Sequence, residues 1–195
     1  MPFAALAFLA VACGLPGTLL AAEPPALAAA SGDGSSIAAS GAGTLGVARP
    51  GQSHWYADRV YVDKSERQLH LLKEGQVLRS YRISLGKNPV GDKQREGDLR
   101  TPEGDYYLDW RNPQSDFFMS MHISYPSSHD LREASQRGQR PGSMIMIHGL
   151  PNDAEATRTD YLYEDWTDGC IAVSNQAMID IWLSVPDNTP ITIAP

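Results

Sequence analysis

The sequence predicts a mainly-β domain with one or two helices, in which two sheets wrap around one core. Two observations favour this class. From about residue 54 onward, short segments alternate apolar and polar residues with the two-residue period of a half-buried strand. Turn-rich stretches containing Gly and Pro separate these segments, and the length of 195 residues fits one such domain plus accessory sequence.

Eight segments are predicted to be strands. The hairpin formed by the second and third is clearly marked, because "KEGQ" (73–76) places a Gly-containing turn between two alternating stretches. A long loop at 86–104 follows, and loops of that length in compact domains are often functional. The predicted strands cover residues 60–62, 68–72, 77–85, 105–110, 118–124, 144–148, 170–173 and 189–193.

Two helices are predicted in the second half of the chain. One covers about 130–137 and is stopped by Gly138. The other begins with Ser174 or Asn175 as its N-cap and ends before Pro186. Its methionine and tryptophan recur at helical spacing, which is typical of core packing and not of a cofactor site.

The N-terminal region has a different composition. Residues 1–22 carry no charged side chain and contain an apolar stretch followed by small residues, which indicates an export signal cut near Ala22. A lipoprotein signal with Cys13 as a lipid anchor is the alternative; a buried helix fits less well, because three prolines follow closely. Residues 23–53 are rich in Ala, Gly, Ser and Pro and predict a flexible linker. The folded domain is expected at 54–195, in the periplasm or elsewhere in the cell envelope.

The overall charge and hydropathy exclude two function classes. The formal net charge is −7, whereas proteins that bind DNA or RNA hold the phosphates with clusters of Lys and Arg. No run of 18 or more apolar residues follows the signal segment, so no integral membrane span is expected once the signal is removed.

The chain has only two cysteines. Removal of the signal, or lipidation of Cys13, leaves Cys170 without an intramolecular disulfide partner. An odd cysteine in an exported protein indicates a reactive thiol or an intermolecular bond, while a buried cysteine that acts as a small hydrophobe is the alternative. Cys170 follows the turn "TDG", whose amides would lower a thiol pKa and stabilise an oxyanion.

A thiol nucleophile generally needs a base, and five histidines are available. His148 ends the apolar run "MIMI" and precedes a glycine, so its side chain is expected where a core strand meets a loop. His122 lies in the middle of a predicted strand, where a structural role is equally compatible. A zinc site is disfavoured because no second thiol and no spaced His pair completes a tetrahedral shell, so no metal or cofactor is expected.

Four motifs point to a known family: "LGKNPVGDK" (85–93), "RTPEGDYYL" (100–108), "MIHG" (146–149) and "TDGCIAVSN" (167–175). Over about 64–195 the chain resembles the L,D-transpeptidase catalytic domain, also called the YkuD domain, of bacterial cell-wall enzymes. The most specific feature is a His-Gly pair, a spacer, and Ser/Thr-x-Gly-Cys before an apolar residue. The resemblance implies a YkuD-like β-sandwich or barrel of mixed strands with one or two short helices, and peptidoglycan stem peptides as substrates.

The resemblance also implies roles for single residues. Cys170 would be the nucleophile, His148 the base, and the backbone carbonyl of Gly149 would help orient the imidazole. The donor groove would be lined by the 86–104 loop and by the Tyr106-Tyr107 pair, although turn formation is an alternative role for this loop. The residues expected to shape the oxyanion region are Thr167, Asp168 and Gly169, and the substrate-binding candidates are Arg100, Tyr106 and His122.

Two positions depart from the family pattern. Many members have His where this chain has Asp168, and Arg where it has Ala172, an arginine that helps hold the signature region and the acidic groups of the substrate. A carboxylate two residues from a thiolate raises the thiol pKa, unless it points away or pairs with His122 or an arginine.

The implied reaction is a two-step acyl transfer through a cysteine thioester. Cys170 would attack the carbonyl between the third and fourth residues of a stem and pass the acyl group to an amine. One alternative is hydrolysis of wall crosslinks, or release of a wall-attached protein, by the same Cys-His pair. Another is a wall-binding module with a structural cysteine. A sortase is disfavoured, because no arginine follows Cys170.

Overall fold

In the computed structural model, which describes residues 55–153 and 159–195, eight strands form one hydrogen-bonded mixed sheet. The predicted export signal, Cys13 and the linker lie outside the described residues. The strands are β1 (Arg59–Asp63), β2 (Gln68–Lys73), β3 (Gln76–Arg82), β4 (Gly104–Ser115), β5 (Phe118–Ile123), β6 (Met146–His148), β7 (Ile171–Ala172) and β8 (Thr189–Ala194). The helices are α1 (Ser128–Gln136), α2 (Asn175–Ser184) and a short 3₁₀ helix at Thr159–Leu162.

The sheet has the strand order β3-β2-β1-β8-β4-β5-β6-β7. β1 pairs parallel with β8, and β6 with β7, while the other neighbours are antiparallel. After β3 the chain crosses to the opposite edge of the sheet, where Ser84 and Ala172 exchange two backbone hydrogen bonds of 2.9 and 2.8 Å. The structure therefore has one sheet that curves towards a barrel, and the prediction of two separate sheets is wrong. Two register shifts in the pairing of β4 with β5 contribute to this curvature. The predicted class, mainly β with mixed strands and short helices, is confirmed.

The alternation of side chains along β5, β6 and β7 separates the core from the site. Met121, Ile147 and Ile171 are fully buried and belong to the hydrophobic core. Their neighbours along each strand therefore project from the opposite face of the sheet. Helix α2 contributes the core residues Ala177, Met178 and Ile181.

Strand β4 continues five residues past its predicted end at 110, and three other element boundaries differ from the sequence prediction for local reasons. Helix α1 begins two residues early, because Ser127 and Asp130 form a capping box at its start. Strand β3 ends at Arg82, since the residues after it pair with β7 instead. Strand β6 begins two residues late, after Met144, whose φ of 61° interrupts an extended strand. Within the described residues, no helix combines the length and apolar character needed to cross a membrane.

Candidate active site

Cys170 and His148 come together because β6 and β7 are parallel neighbours. Ile147 pairs with Ile171, and His148 pairs with Ala172, so the thiol and the imidazole project from the same face of the sheet. Both side chains line one cavity of about 340 Å³. The other residues that line it are Lys87, Ser115, Phe117, Ser120, Met144, Met146, Trp166, Thr167 and Asp168.

The imidazole of His148 is buried and held in one orientation. Its Nδ1 lies 2.7 Å from the carbonyl oxygen of Gly149, and because a carbonyl only accepts, Nδ1 carries the proton. Nε2 of the neutral ring is then free to accept a proton. Burial lowers the pKa of His148, while the hydrogen bond to Gly149 acts in the opposite direction. The rings of Phe117 and Trp166 pack beside the imidazole, at centroid distances of 4.7 and 5.6 Å.

Gly149 is required by close packing. A Cβ built on it would lie 2.6 Å from Oδ1 of Asn175 and 2.9 Å from Cβ of Phe118. The same Asn175 oxygen accepts a hydrogen bond of 2.8 Å from the backbone N–H of Leu150. The first residue of α2 therefore fixes the backbone that follows His148, and with it the carbonyl that orients the imidazole.

The Cys170 thiol is half-buried, and its Sγ lies 3.7 Å from the carbonyl oxygen of Met144. Burial raises the pKa of the thiol, and the Asp168 carboxylate adds to that increase. Two effects lower the pKa of the thiol: a hydrogen bond that the sulfur accepts from the Met146 backbone, and the positive charge of Lys93. The largest of these effects, burial, raises the pKa of the thiol and so favours its protonated form.

Asp168 pairs with a lysine and not with His122 or an arginine. Its Oδ1 lies 3.0 Å from Nζ of Lys87, and both side chains are largely exposed. The expected effect of Asp168 on the thiol pKa is present, and Lys87 partly neutralises the carboxylate responsible for it.

The turn before Cys170 is fixed from two sides. Oγ1 of Thr167 donates to the carbonyl of Cys170 at 2.7 Å and accepts from the N–H of Gly169 at 3.1 Å. Gly169 has a φ of +132°, and a Cβ there would lie 2.6 Å from the carbonyl oxygen of Arg100. The sequence motif therefore demands glycine at 169 for both backbone conformation and space.

The 86–104 loop that meets this turn is braced by two buried lysines. Nζ of Lys64 donates to the carbonyls of Gly91 and Thr101, at 2.8 and 3.0 Å, and to Glu103 at 2.7 Å. Nζ of Lys93 lies 2.7 Å from Oδ1 of Asp98. The loop forms part of a second cavity, of about 420 Å³, and the residues shared by the two cavities are Met144, Asp168 and Cys170.

The three substrate-binding candidates do not line the cavity that holds both Cys170 and His148. Tyr106 is buried in the core, where its hydroxyl lies 3.2 Å from Asp130 and burial raises its pKa. Arg100 donates to the carbonyl of Asp92 at 3.2 Å, and its own carbonyl contacts Gly169. His122 pairs with an aspartate on β4. Packing and loop support account for Tyr106 and Arg100.

Several residues of the site were not predicted from the sequence. Ser120 lies opposite His148 on β5 and is buried. The strand alternation carries the only signal for it, because it puts residues 120 and 122 on one face. The sequence pattern indicates only a helix-capping role for Asn175, and it indicates no role for Phe117. Among the described residues, no group of three or more His, Cys, Asp or Glu side chains is placed to hold a metal ion.

A thiol and an oriented, neutral imidazole in one cavity are the components of a cysteine-dependent acyl-transfer site. The chain belongs to the L,D-transpeptidase catalytic domain family, YkuD, whose family model matches residues 57–193. This confirms the family resemblance seen in the sequence motifs.

Two relatives illustrate the match. The chain is 30% identical over 152 residues to the protein YafK of Escherichia coli K12, and the match covers 73% of this chain and 54% of that protein. It is also similar to the crystal structure of the helical cell shape determining protein Pgp2 of Campylobacter jejuni, with a TM-score of 0.54 and 27% identity. That match covers 69% of this chain and 46% of Pgp2. The chain thus spans about half the length of these relatives.

Proposed function

We propose that the domain is an exported peptidoglycan L,D-transpeptidase that acts through a thioester on Cys170. The observation that carries the proposal is the shared cavity of Cys170 and His148, with Nδ1 of the imidazole fixed by Gly149. Membership of the family supports peptidoglycan stem peptides as the substrate and an envelope location. Residues 1–22 would be the export signal and 23–53 the linker to the domain.

The first half-reaction forms the acyl-enzyme. Nε2 of His148 takes the thiol proton as Sγ of Cys170 attacks the carbonyl carbon of the third stem residue. The resulting oxyanion lies near the 167–169 turn, whose backbone N–H groups are available as hydrogen-bond donors. The C–N bond to the fourth residue then breaks, and the imidazolium protonates the departing D-amino acid amine.

The second half-reaction releases the acyl group. An acceptor amine, such as the side chain of a diaminopimelate in a neighbouring stem, loses a proton to His148 and attacks the thioester carbon. The C–S bond breaks, and the imidazolium returns a proton to the sulfur. Two cavities meet at Cys170, which leaves space for a donor and an acceptor on different sides of the thioester.

The resting pair is neutral in this proposal. Burial raises the pKa of Cys170 and lowers that of His148, so a preformed thiolate-imidazolium pair is disfavoured at pH 7. Proton transfer therefore accompanies attack on the substrate, as in general base catalysis. A neutral thiol also reacts slowly with adventitious electrophiles until a substrate is present.

The alternative outcome uses the same residues with water as the acceptor. The enzyme is then an L,D-peptidase or amidase that hydrolyses wall crosslinks or releases a wall-attached protein. The replacement of the common arginine by Ala172 bears on this choice, because it removes a charge that helps hold acidic groups of the substrate.

The deciding experiment incubates the purified domain with disaccharide-tetrapeptides and identifies the products by mass spectrometry. Dimers crosslinked through two diaminopimelates are expected, together with released D-amino acid. Tripeptides alone, with abundant acceptor amine present, would establish hydrolysis and overturn the transferase assignment. The Cys170→Ala variant should give neither product. If the wild type also gives no product, and the variant binds the disaccharide-tetrapeptide as well as the wild type does, the domain is a wall-binding module.

A further inference from the structure

A row of side chains crosses the sheet from Cys170 to an exposed tryptophan. Trp110 on β4 is the cross-strand partner of His122 on β5, which in turn is the partner of Met146 on β6. The pairing of Ile147 with Ile171 places Met146 opposite Cys170. Cross-strand partners share a face, so these four side chains project from the face that carries the active-site cavity.

Trp110 is presented as a flat, supported ring. Its indole stacks on the imidazole of His122, with ring centroids 4.9 Å apart and an angle of 18° between the planes. Nδ1 of His122 lies 2.7 Å from Oδ1 of Asp109, which fixes the imidazole. His122 supports one side of the indole, and Trp110 is still 40% exposed. A register shift in β4 between Leu108 and Trp110 turns the strand at this point.

This arrangement suits a sugar ring. One face of a pyranose consists of C–H groups and packs on an aromatic ring, while its hydroxyl and acetamido groups need hydrogen-bond partners at the edge. The carboxylate of Asp109 lies beside the tryptophan in sequence and is 35% exposed, so it can accept such bonds. The core offers no packing reason for Trp110, because the ring lies outside the hydrophobic cluster.

The spacing matches the chemistry of the proposed substrate. Cys170 and Trp110 are separated by three strand intervals, or about 14 Å. The three stem residues between the scissile carbonyl and the glycan span about 10 to 11 Å when extended. The lactyl ether that joins the stem to the sugar supplies the remaining length.

We propose that Trp110, supported by His122 and Asp109, binds an N-acetylated sugar ring of the glycan while the attached stem reaches Cys170. The inference rests on the proposed function, because it assigns the same substrate a second point of contact. Substrates that carry the disaccharide would then be preferred over free stem peptides.

The test compares disaccharide-tetrapeptide with the same tetrapeptide lacking sugar, in the wild type and in Trp110→Ala. The wild type should prefer the sugar-bearing substrate in kcat/KM, and Trp110→Ala should reduce that preference about tenfold, the scale of one aromatic stacking contact. Trp110→Phe should keep most of it. Equal losses on both substrates, or no loss on either, would overturn the inference.

A matched control exists on strands β1 and β2, away from the strands that carry the row. Tyr61 on β1 also stacks on a histidine, His70 of β2, with centroids 6.2 Å apart and an angle of 21°. Tyr61→Ala removes the same kind of contact away from the row and should leave the substrate preference unchanged. A drop as large as that of Trp110→Ala would attribute the effect to general destabilisation and refute the sugar site.

A binding measurement separates this inference from the proposed function. Cys170→Ala cannot form an acyl-enzyme, so calorimetric titration with the two ligands reports recognition alone. The sugar site is supported if Cys170→Ala binds the sugar-bearing ligand more tightly than the free peptide and the double variant with Trp110→Ala does not. This result supports the sugar site even where the wild type turns over neither substrate. Equal affinities for both ligands, with turnover intact, would refute the sugar site and leave the proposed function standing.

Discussion

Gly169 and Arg100 touch through their backbones: a Cβ on Gly169 would lie 2.6 Å from the carbonyl oxygen of Arg100. The contact joins the turn that precedes the thiol to the loop braced by Lys64 and Lys93. The position of Cys170 therefore depends on a loop about 70 residues away in sequence.

Gly169→Ala should be strongly destabilising. The new methyl group overlaps a backbone oxygen that cannot rotate away, and the φ of +132° is unfavourable for alanine. We expect the free energy of unfolding to fall by about 3 kcal/mol, measured by urea titration. Gly97→Ala is the matched control, since Gly97 also has positive φ but nothing within 4 Å of its Cβ position. It should cost only about 1 kcal/mol, and an equal loss in the two variants would contradict the steric argument.

The charges around Cys170 should set the pH profile of its alkylation. The Asp168 carboxylate raises the pKa of the thiol, so Asp168→Asn should shift the iodoacetamide rate profile to lower pH. Lys87→Met should shift it to higher pH, because the lysine that pairs with Asp168 is then lost. Lys73→Met, at the exposed end of β2, is the control and should cause no shift. Shifts of the same sign in the Asp168 and Lys87 variants would refute this electrostatic account.

Much of this site is predictable from the sequence, and the remainder shows what sequence patterns omit. Strand alternation predicted the eight strands, and the spaced His-Gly and Gly-Cys motifs drew attention to Cys170 and His148, which line one cavity in the structure. The pairing of Ser84 with Ala172 and the hydrogen bonds of the Lys64 ammonium group were not predicted. Both join residues that are remote in sequence, and neither produces a periodic pattern of residue types. Tyr106 lies in the core and Tyr107 at the surface, a difference that two adjacent tyrosines in a sequence do not reveal.

Asn175 is expected to act as a positioning residue. Its Oδ1 holds the N–H of Leu150, and Asn175→Ala would leave that buried donor without its partner, at a cost of about 1 to 3 kcal/mol. Because the His148 orientation depends on the same backbone, kcat should fall while KM changes little. Asn175→Asp keeps an acceptor oxygen at a helix N-terminus and should restore most of kcat. A KM increase with kcat intact would instead indicate direct substrate contact.

Acid should destabilise the domain through His148. Burial lowers the pKa of His148 below the value of about 6.5 that it regains in the unfolded chain. Between these two values the unfolded chain binds a proton that the folded protein does not, so the free energy of unfolding falls as the pH drops below about 6.5. The slope for one such group is at most about 1.4 kcal/mol per pH unit. In urea titrations between pH 7.5 and 5, the free energy of unfolding should fall more steeply with decreasing pH for the wild type than for His148→Gln. The other titrating groups are common to both proteins, so the difference reports His148. Parallel stability curves would mean that the buried imidazole accepts its proton without penalty, and the neutral resting pair would then have to be abandoned.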